Sequence, residues 1–198
     1  MNKTLLSLGH GFSAQYLAKR LVPQGWHVIG TTRKPEKFEQ LEAAGVTPLL
    51  WPCDLAQALQ GVTHVLTSAG PDADGDPILR MGRAAIVSAA PQLEWVGYLS
   101  TTGVYGDQDG GWVDEASPLD PATERGQRRV MAEREWLDIT GLPVHVFRLA
   151  GIYGPGRGPF AKLRRGIAQR VIKKNQIFSR THVEDIAQVL EASINRVD

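Results

Sequence analysis

The sequence lacks the features that mark secreted, membrane-spanning and strongly basic proteins. Cys53 is the only cysteine, so no disulfide can form within the chain, and a reducing, cytoplasmic compartment is expected. No apolar run is long enough to cross a bilayer, and no signal-peptide cleavage site follows the amino terminus. The formal net charge of +1 lacks the basic excess of a non-specific nucleic-acid binder. We therefore expect a globular protein that binds neither nucleic acid nor membrane.

Short apolar runs alternate with helical periods along the chain, and this alternation predicts an α/β fold. The candidate strands are apolar throughout, as strands of a buried parallel sheet are. They cover residues 4–8, 27–31, 47–50, 64–68, 94–100 and 144–149. Candidate helices follow residue 14, cover 77–89 and about 123–140, and begin near residue 183. The pattern predicts a Rossmann fold, a doubly wound parallel sheet with helices on both faces and ligands at the strand carboxyl ends.

Residues 4–32 have the order of a dinucleotide-binding βαβ unit, with a G-x-G-x-x-A turn after the first strand. Gly9 permits the tight turn, Gly11 lets the backbone approach a pyrophosphate, and Ala14 lets the helix pack closely on the strand. The helix amino terminus presents free N–H groups to the phosphates. The alternative is a tight turn that binds no ligand. The residues predicted to bind the cofactor here are Gly9, His10, Gly11, Phe12, Ser13 and Ala14.

The residues after the second strand favour NADP over NAD as the cofactor. An NAD site usually places Asp or Glu at this point to bind the ribose 2′-hydroxyl, and the sequence Gly-Thr-Thr-Arg-Lys at 30–34 has neither. Arg33, helped by Thr32 or Lys34, is instead suited to a 2′-phosphate. NAD remains the second choice, and the alternative interpretation is that Arg33 and Lys34 form a solvated loop.

Several later segments, taken in order, extend this picture along nearly the whole chain. They are CDL at 53–55, TSAG at 67–70, LSTTGVYG at 99–106, RLAGIYGPG at 148–156 and RTHVEDIA at 180–187. With the glycine turn they resemble the extended and atypical short-chain dehydrogenase/reductases, the NAD-dependent epimerase/dehydratase class. The sequence is most similar to the atypical YeeZ-like branch of that class. The resemblance implies a Rossmann fold and NAD(P)-dependent oxidoreductase or epimerase-like chemistry.

The resemblance also implies further site residues. Thr101 occupies the catalytic Ser/Thr position, and Tyr105 in the V-Y-G segment lies near the cleft. Asp54 corresponds to the residue that contacts the adenine, and Tyr153 belongs to the loop near the nicotinamide. The further cofactor-binding residues that the resemblance implies are Asp54, Leu55, Ser68, Ala69, Gly70, Arg129 and Tyr153, and the catalytic candidates are Thr101, Tyr105 and Arg129.

The chain departs from the family pattern at the catalytic Y-x-x-x-K pair. Arg125 falls on the Tyr position and Arg129 on the Lys position. Arginine stays protonated at physiological pH, so Arg125 cannot exchange a proton, whereas Arg129 can still hold the ribose by hydrogen bonds. Two functions therefore stay open. One is an NADP-preferring enzyme for a small carbonyl or sugar-nucleotide-like substrate, and the other is a non-catalytic NADP-binding sensor or partner-binding module.

The second departure is length. Relatives usually continue beyond the 180–187 segment with elements that cap the substrate, so we expect one domain over 1–198 in which 150–198 is a remnant of the substrate lobe. The basic stretch between Lys162 and Lys174 is a solvated face or a site for a substrate phosphate. No metal-ligand spacing is present. The resemblance also allows a homodimer.

Overall fold

Six parallel strands form the main sheet of the computed structural model, which describes residues 3–170, 172 and 177–196. The strand order is β3-β2-β1-β4-β5-β6. The strands are β1 (Thr4–Leu8), β2 (His27–Thr32), β3 (Val46–Leu50), β4 (His64–Thr67), β5 (Trp95–Thr101) and β6 (Val144–Leu149). The predicted parallel α/β sheet is thereby confirmed, with strand ends that differ from the prediction by one residue at most.

Helices cover both faces of the sheet. They are α1 (Phe12–Leu21), α2 (Phe38–Ala43), α3 (Leu55–Ala58), α4 (Pro77–Ala89), α5 (Glu124–Leu137), α6 (Pro159–Arg164) and α7 (Val183–Asn195). The four longer helices, α1, α4, α5 and α7, were predicted, although α5 ends three residues early, with Asp138 as its carboxyl-terminal cap. A small second sheet pairs β7 (Gly151–Tyr153) with β8 (Arg180–His182), and the sequence pattern did not predict it.

The core lies on both faces of the sheet because alternate strand residues point in opposite directions. Leu5 belongs to a buried cluster that includes side chains of α1 and α7, whereas the adjacent Leu6 belongs to a cluster that includes side chains of α4 and α5. Trp95 and Trp136, both fully buried, anchor the two clusters. Burial on both faces explains why the central strands are apolar at consecutive positions.

The strand order reverses between β1 and β4, and this reversal positions the ligand site. In such sheets the loops after the two strands diverge and leave a crevice at their carboxyl ends. Leu8 pairs with Thr67 at that edge, so the loops that begin at Gly9 and Ser68 lie side by side. Among the described residues, no helix has the length and apolar character that crossing a bilayer requires.

Candidate cofactor and substrate site

The turn after β1 is held by hydrogen bonds from β2 and by close packing against the loop after β4. Gly9 has a φ of +79°, which strongly favours glycine, and a Cβ there would lie 3.1 Å from the Ala69 nitrogen. The Gly9 N–H donates to Thr31 Oγ1 (2.7 Å), and the His10 N–H donates to the Thr31 carbonyl (3.0 Å). The Thr31 hydroxyl in turn donates to the Ser7 carbonyl (3.2 Å). Thr31 is a supporting residue that the sequence analysis missed.

The space in front of the turn fits a pyrophosphate. A Cβ on Gly11 would meet nothing nearer than the Gly9 carbonyl oxygen at 3.7 Å, so the backbone there is accessible. Gly11 is also the amino-terminal cap of α1 and supplies no side chain to bond the first N–H groups, and no acidic residue occupies that first turn. Unbonded N–H groups and the positive end of the helix dipole therefore remain for an anion.

Two predicted cofactor residues of these loops have structural roles. The His10 side chain is buried, and a Cβ on Gly30 would lie 2.8 Å from its Cγ, so the ring packs against β2. Burial lowers the pKa of His10 to about 4, which keeps the ring neutral at physiological pH. The Ser68 hydroxyl donates to the Gly9 carbonyl and ties the β4 loop to the turn.

A cavity of about 1140 Å³ lies at the carboxyl ends of β1, β4, β5 and β6. The predicted site residues that line it are Gly9, Gly11, Phe12, Ser13, Ser68, Thr101 and Arg129. The other predicted residues do not line it, and they are His10, Ala14, Thr32, Arg33, Asp54, Leu55, Ala69, Gly70, Tyr105 and Tyr153. The structure therefore brings the phosphate turn together with two of the three catalytic candidates.

Arg129 is held in a fixed position at the ends of β4 and β5. One of its terminal nitrogens, Nη1, donates to the Leu99 carbonyl (2.6 Å) and to the Tyr98 hydroxyl (3.2 Å). A Cβ on Gly70 would lie 3.1 Å from the other, Nη2, so glycine leaves room for the guanidinium. Burial raises the pKa of Tyr98 to about 12, which keeps its hydroxyl protonated. The remaining N–H groups of Arg129 can serve a ligand in the cavity.

Thr101 is the last residue of β5 and lines the cavity. Its Oγ1 accepts a hydrogen bond from the Gly103 N–H (3.2 Å) and thereby caps the 3-10 turn over Thr102–Val104. Within the part of the chain that the structure describes, no protein acceptor is found for the Thr101 O–H. That O–H group can therefore donate a hydrogen bond to a substrate oxygen.

Tyr105 lies beside the cavity without lining it. Its hydroxyl accepts from Arg148 Nη1 (3.0 Å), and the Arg148 guanidinium stacks over its ring at 5.1 Å. The ring is buried in a small cluster with Val104 and Val130. This position favours a structural role for Tyr105, because both its ring and its oxygen already have protein partners.

A buried ion pair fixes α5 against β5 and β6. Glu133 is 1% exposed, and its Oε2 lies 3.0 Å from Arg148 Nη2. The Ser100 hydroxyl donates to the other carboxylate oxygen, so both oxygens have partners. Because Ser100 precedes Thr101, and Glu133 lies one helical turn after Arg129, this pair positions both cavity residues. Glu133 was not predicted as a site residue, and its spacing of one helical turn from Arg129 was the available signal.

Arg33 lies on the surface just beyond β2, where the βαβ prediction places it. The neighbouring Lys34 is engaged locally, since its N–H donates to Thr32 Oγ1 (3.2 Å) and its Nζ lies 3.9 Å from Glu36. No ion pair is found for Arg33 among the residues the structure describes. A cation is therefore exposed at the edge where the second strand of a βαβ unit meets the adenine ribose.

Asp54 and Leu55 begin the short helix α3. The Asp54 carboxylate caps it by accepting from the N–H groups of Ala56 (2.9 Å) and Gln57 (3.2 Å). The Leu55 side chain is buried against Gly82 of α4. The predicted adenine contact of Asp54 stays a prediction. In the structure Asp54 caps its own helix and Leu55 packs against α4.

The loop after β7 closes over the phosphate turn. A Cβ on Gly154 would lie 2.6 Å from Val183 Cγ1 and 3.3 Å from Phe12 Cζ, so the loop packs directly on the first residue of α1. The Tyr153 ring meets the His182 ring edge-on, with 5.0 Å between their centres. Tyr153 is 42% exposed, and its predicted cofactor contact stays a prediction.

The phosphate turn, the switch-point cavity and the ordered strand-end segments define a nucleotide-binding Rossmann protein. Residues 8–197 match the sequence pattern of the NAD dependent epimerase/dehydratase family, and the chain belongs to that family. It is 30% identical to the protein YeeZ of Escherichia coli strain K12 over 171 residues. That match covers 79% of this chain and 61% of YeeZ, so the chain spans about three fifths of the length of this relative.

Solved structures give the same fold. A functionally unknown conserved protein from Silicibacter pomeroyi is 57% identical, with a TM-score of 0.93, and the match covers all of this chain and 70% of that one. The Bordetella bronchiseptica enzyme WbmG, solved with NAD and UDP, is 22% identical with a TM-score of 0.72. That second match covers 97% of this chain and 68% of WbmG, and at this identity it supports the fold alone.

Proposed function

We propose that the chain binds NADP in preference to NAD and acts as an oxidoreductase or epimerase-like enzyme on a small carbonyl or sugar-nucleotide-like substrate. The observation that supports this most is that the phosphate turn, Thr101 and Arg129 all line one cavity. WbmG, a more distant member of the fold, has been solved with NAD and UDP, which suits a nucleotide-linked substrate.

The residues present fit the cofactor in three places. The turn from Gly9 to Ser13 would hold the pyrophosphate through backbone N–H groups. Arg129 would bind the nicotinamide ribose through N–H groups that its protein partners leave over, and Arg33 would bind the 2′-phosphate. When bound, the cofactor supplies or accepts a hydride. Thr101 would donate a hydrogen bond to the substrate oxygen and orient it.

Turnover tests this enzymatic function directly. Purified protein with NADPH, and separately with NADP⁺, is assayed against carbonyls, hydroxy compounds and sugar nucleotides by absorbance and by product analysis. We expect turnover that falls when Thr101 is replaced by Val, which keeps the shape and removes the hydroxyl. Turnover that Thr101→Val leaves unchanged would exclude the proposed site, and absence of turnover over the whole panel would contradict the enzymatic function.

A second function is favoured by one observation, the arginine at the position of the family's tyrosine. Arg125 lines the cavity, but it cannot take up and release a proton near neutral pH. A non-catalytic sensor would bind NADP tightly and turn nothing over. Arg125→Tyr restores the proton-exchanging group, so a sensor predicts activity only in that variant. An enzyme that already uses Arg125 predicts instead that Arg125→Tyr loses activity.

A further inference from the structure

The charge of the cavity is strongly one-sided. Its cationic lining residues are Arg125, Arg129, Arg157, Lys162 and Arg180. No Asp or Glu among the described residues lines it. A cavity with this lining concentrates anions, because cations gathered around a recess reinforce one another's field. The pyrophosphate of a dinucleotide carries two negative charges, fewer than the five cations of this lining.

Several of these cations have partners in the protein. Arg129 is bonded to Leu99 and Tyr98, and the Arg157 guanidinium stacks 5.2 Å over the Phe12 ring at the phosphate turn. Arg125 differs from both, since no ion pair or hydrogen bond of its side chain is found among the described residues. The adjacent carboxylate of Glu124 is engaged with Arg128 at 3.0 Å.

The position of Arg125 on its helix adds to this. It is the second residue of α5, where the positive end of the helix dipole disfavours a cation and favours an anion. The start of α5 is fixed, because Thr123 Oγ1 accepts from the Gly126 N–H (3.1 Å). A Cβ on Gly126 would lie 2.7 Å from the Gly103 carbonyl oxygen, so the helix begins directly against the turn that follows Thr101.

We propose that Arg125 binds an anionic group of the substrate, a carboxylate or a phosphate, at the place where the family keeps its proton-transferring tyrosine. The planar guanidinium matches the paired oxygens of either group. This inference rests on the proposed function, since the substrate must share the cavity with the cofactor. It narrows the substrate class: a neutral carbonyl compound leaves Arg125 without a partner, whereas an acid or a phosphorylated compound satisfies it.

Calorimetric titration tests this on the protein saturated with NADP⁺. The probes are malonate, pyrophosphate and the neutral malonamide, and saturation with cofactor keeps the anions away from the phosphate turn. We expect malonate or pyrophosphate to bind and malonamide not to bind. Arg125→Gln should lower the affinity for the anion that binds about tenfold or more, because a charge-assisted hydrogen bond is lost. Arg125→Lys keeps the charge and should retain part of the affinity.

The matched control is Arg134→Gln, which removes an exposed arginine from the same helix outside the cavity and should leave anion affinity within about twofold. If Arg125→Gln loses affinity for malonate, the anionic group of the substrate is assigned as a carboxylate. If it loses affinity for pyrophosphate, the group is assigned as a phosphate. Unchanged binding in Arg125→Gln, equal binding of malonamide, or no binding of either anion to wild type would overturn the inference. Cofactor titration of the same variants tests the proposed function separately, because Arg125→Gln should leave NADP⁺ affinity within about twofold.

Discussion

Replacing Arg33 by Ala should change the cofactor preference of the protein. Arg33 is exposed beyond β2. A hydrogen bond from it to a 2′-phosphate would be strengthened by the opposite charges of the two groups and weakened by solvent screening. An exposed ion pair contributes less binding free energy than a bidentate charged hydrogen bond, and we take an intermediate value for this contact. Its removal should cost about 1.4 kcal/mol of binding free energy, which raises the Kd for NADP about tenfold. The Kd for NAD should change less than about twofold, because NAD carries no 2′-phosphate.

The assay is parallel titration of NADP and NAD by calorimetry at low and high ionic strength. The tenfold effect should shrink as salt rises, since the contact is exposed. Arg134→Ala, which removes an exposed arginine outside the cavity, serves as the control. An NADP affinity that Arg33→Ala leaves unchanged, or an equal loss of NAD affinity, would refute the assignment of Arg33 and with it the NADP preference.

Two further predictions concern the scaffold of the site. Glu133→Gln should destabilise the fold by about 3 kcal/mol, measured by urea unfolding, because it leaves the partly buried Arg148 without its counter-ion. Glu135→Gln on the same helix is the control. If both variants lower the free energy of unfolding equally, the ion pair between Glu133 and Arg148 contributes little to stability. Burial lowers the pKa of His10 to about 4, whereas in the unfolded chain this side chain takes up a proton below about pH 6.5. Between these two values the protonated side chain favours the unfolded state. Stability should therefore fall between about pH 6.5 and 4, and the fall should be smaller in His10→Asn.

Much of the fold was predictable because hydrophobic pattern and turn residues agree along the chain. Strand β1 and the turn at Gly9 are specified by residues adjacent in sequence, as is the stripe of α1. The short elements α2, α3, α6, β7 and β8 escaped prediction. Unlike the equally short strands of the main sheet, they are not apolar throughout, and a few mixed residues carry too little periodicity to separate a helix or strand from a loop.

The site was predictable where it depends on local motifs and not where it depends on distant pairing. The phosphate turn and Thr101 follow from short segments. The bond between Thr31 and Gly9 depends on strand register, and the pairing of Glu133 with Arg148 joins a helix to a later strand. Tyr105 was assigned to the cleft by its motif, but its surroundings bury it against Arg148, and no motif reveals that contact.

The departure at Arg125 is best understood from the face of α5 that carries it. Arg125, Arg129 and Glu133 follow one another at intervals of one turn and so lie on one side of the helix. Arg125 is exposed and lines the cavity, Arg129 is partly buried and bonded to β5, and the carboxylate of Glu133 is buried in the core. Packing restricts the two inner positions, because each has protein partners that a different side chain would lose. Arg125 has no such partner among the described residues, so we expect a different side chain at this position to alter ligand binding and to leave the fold intact.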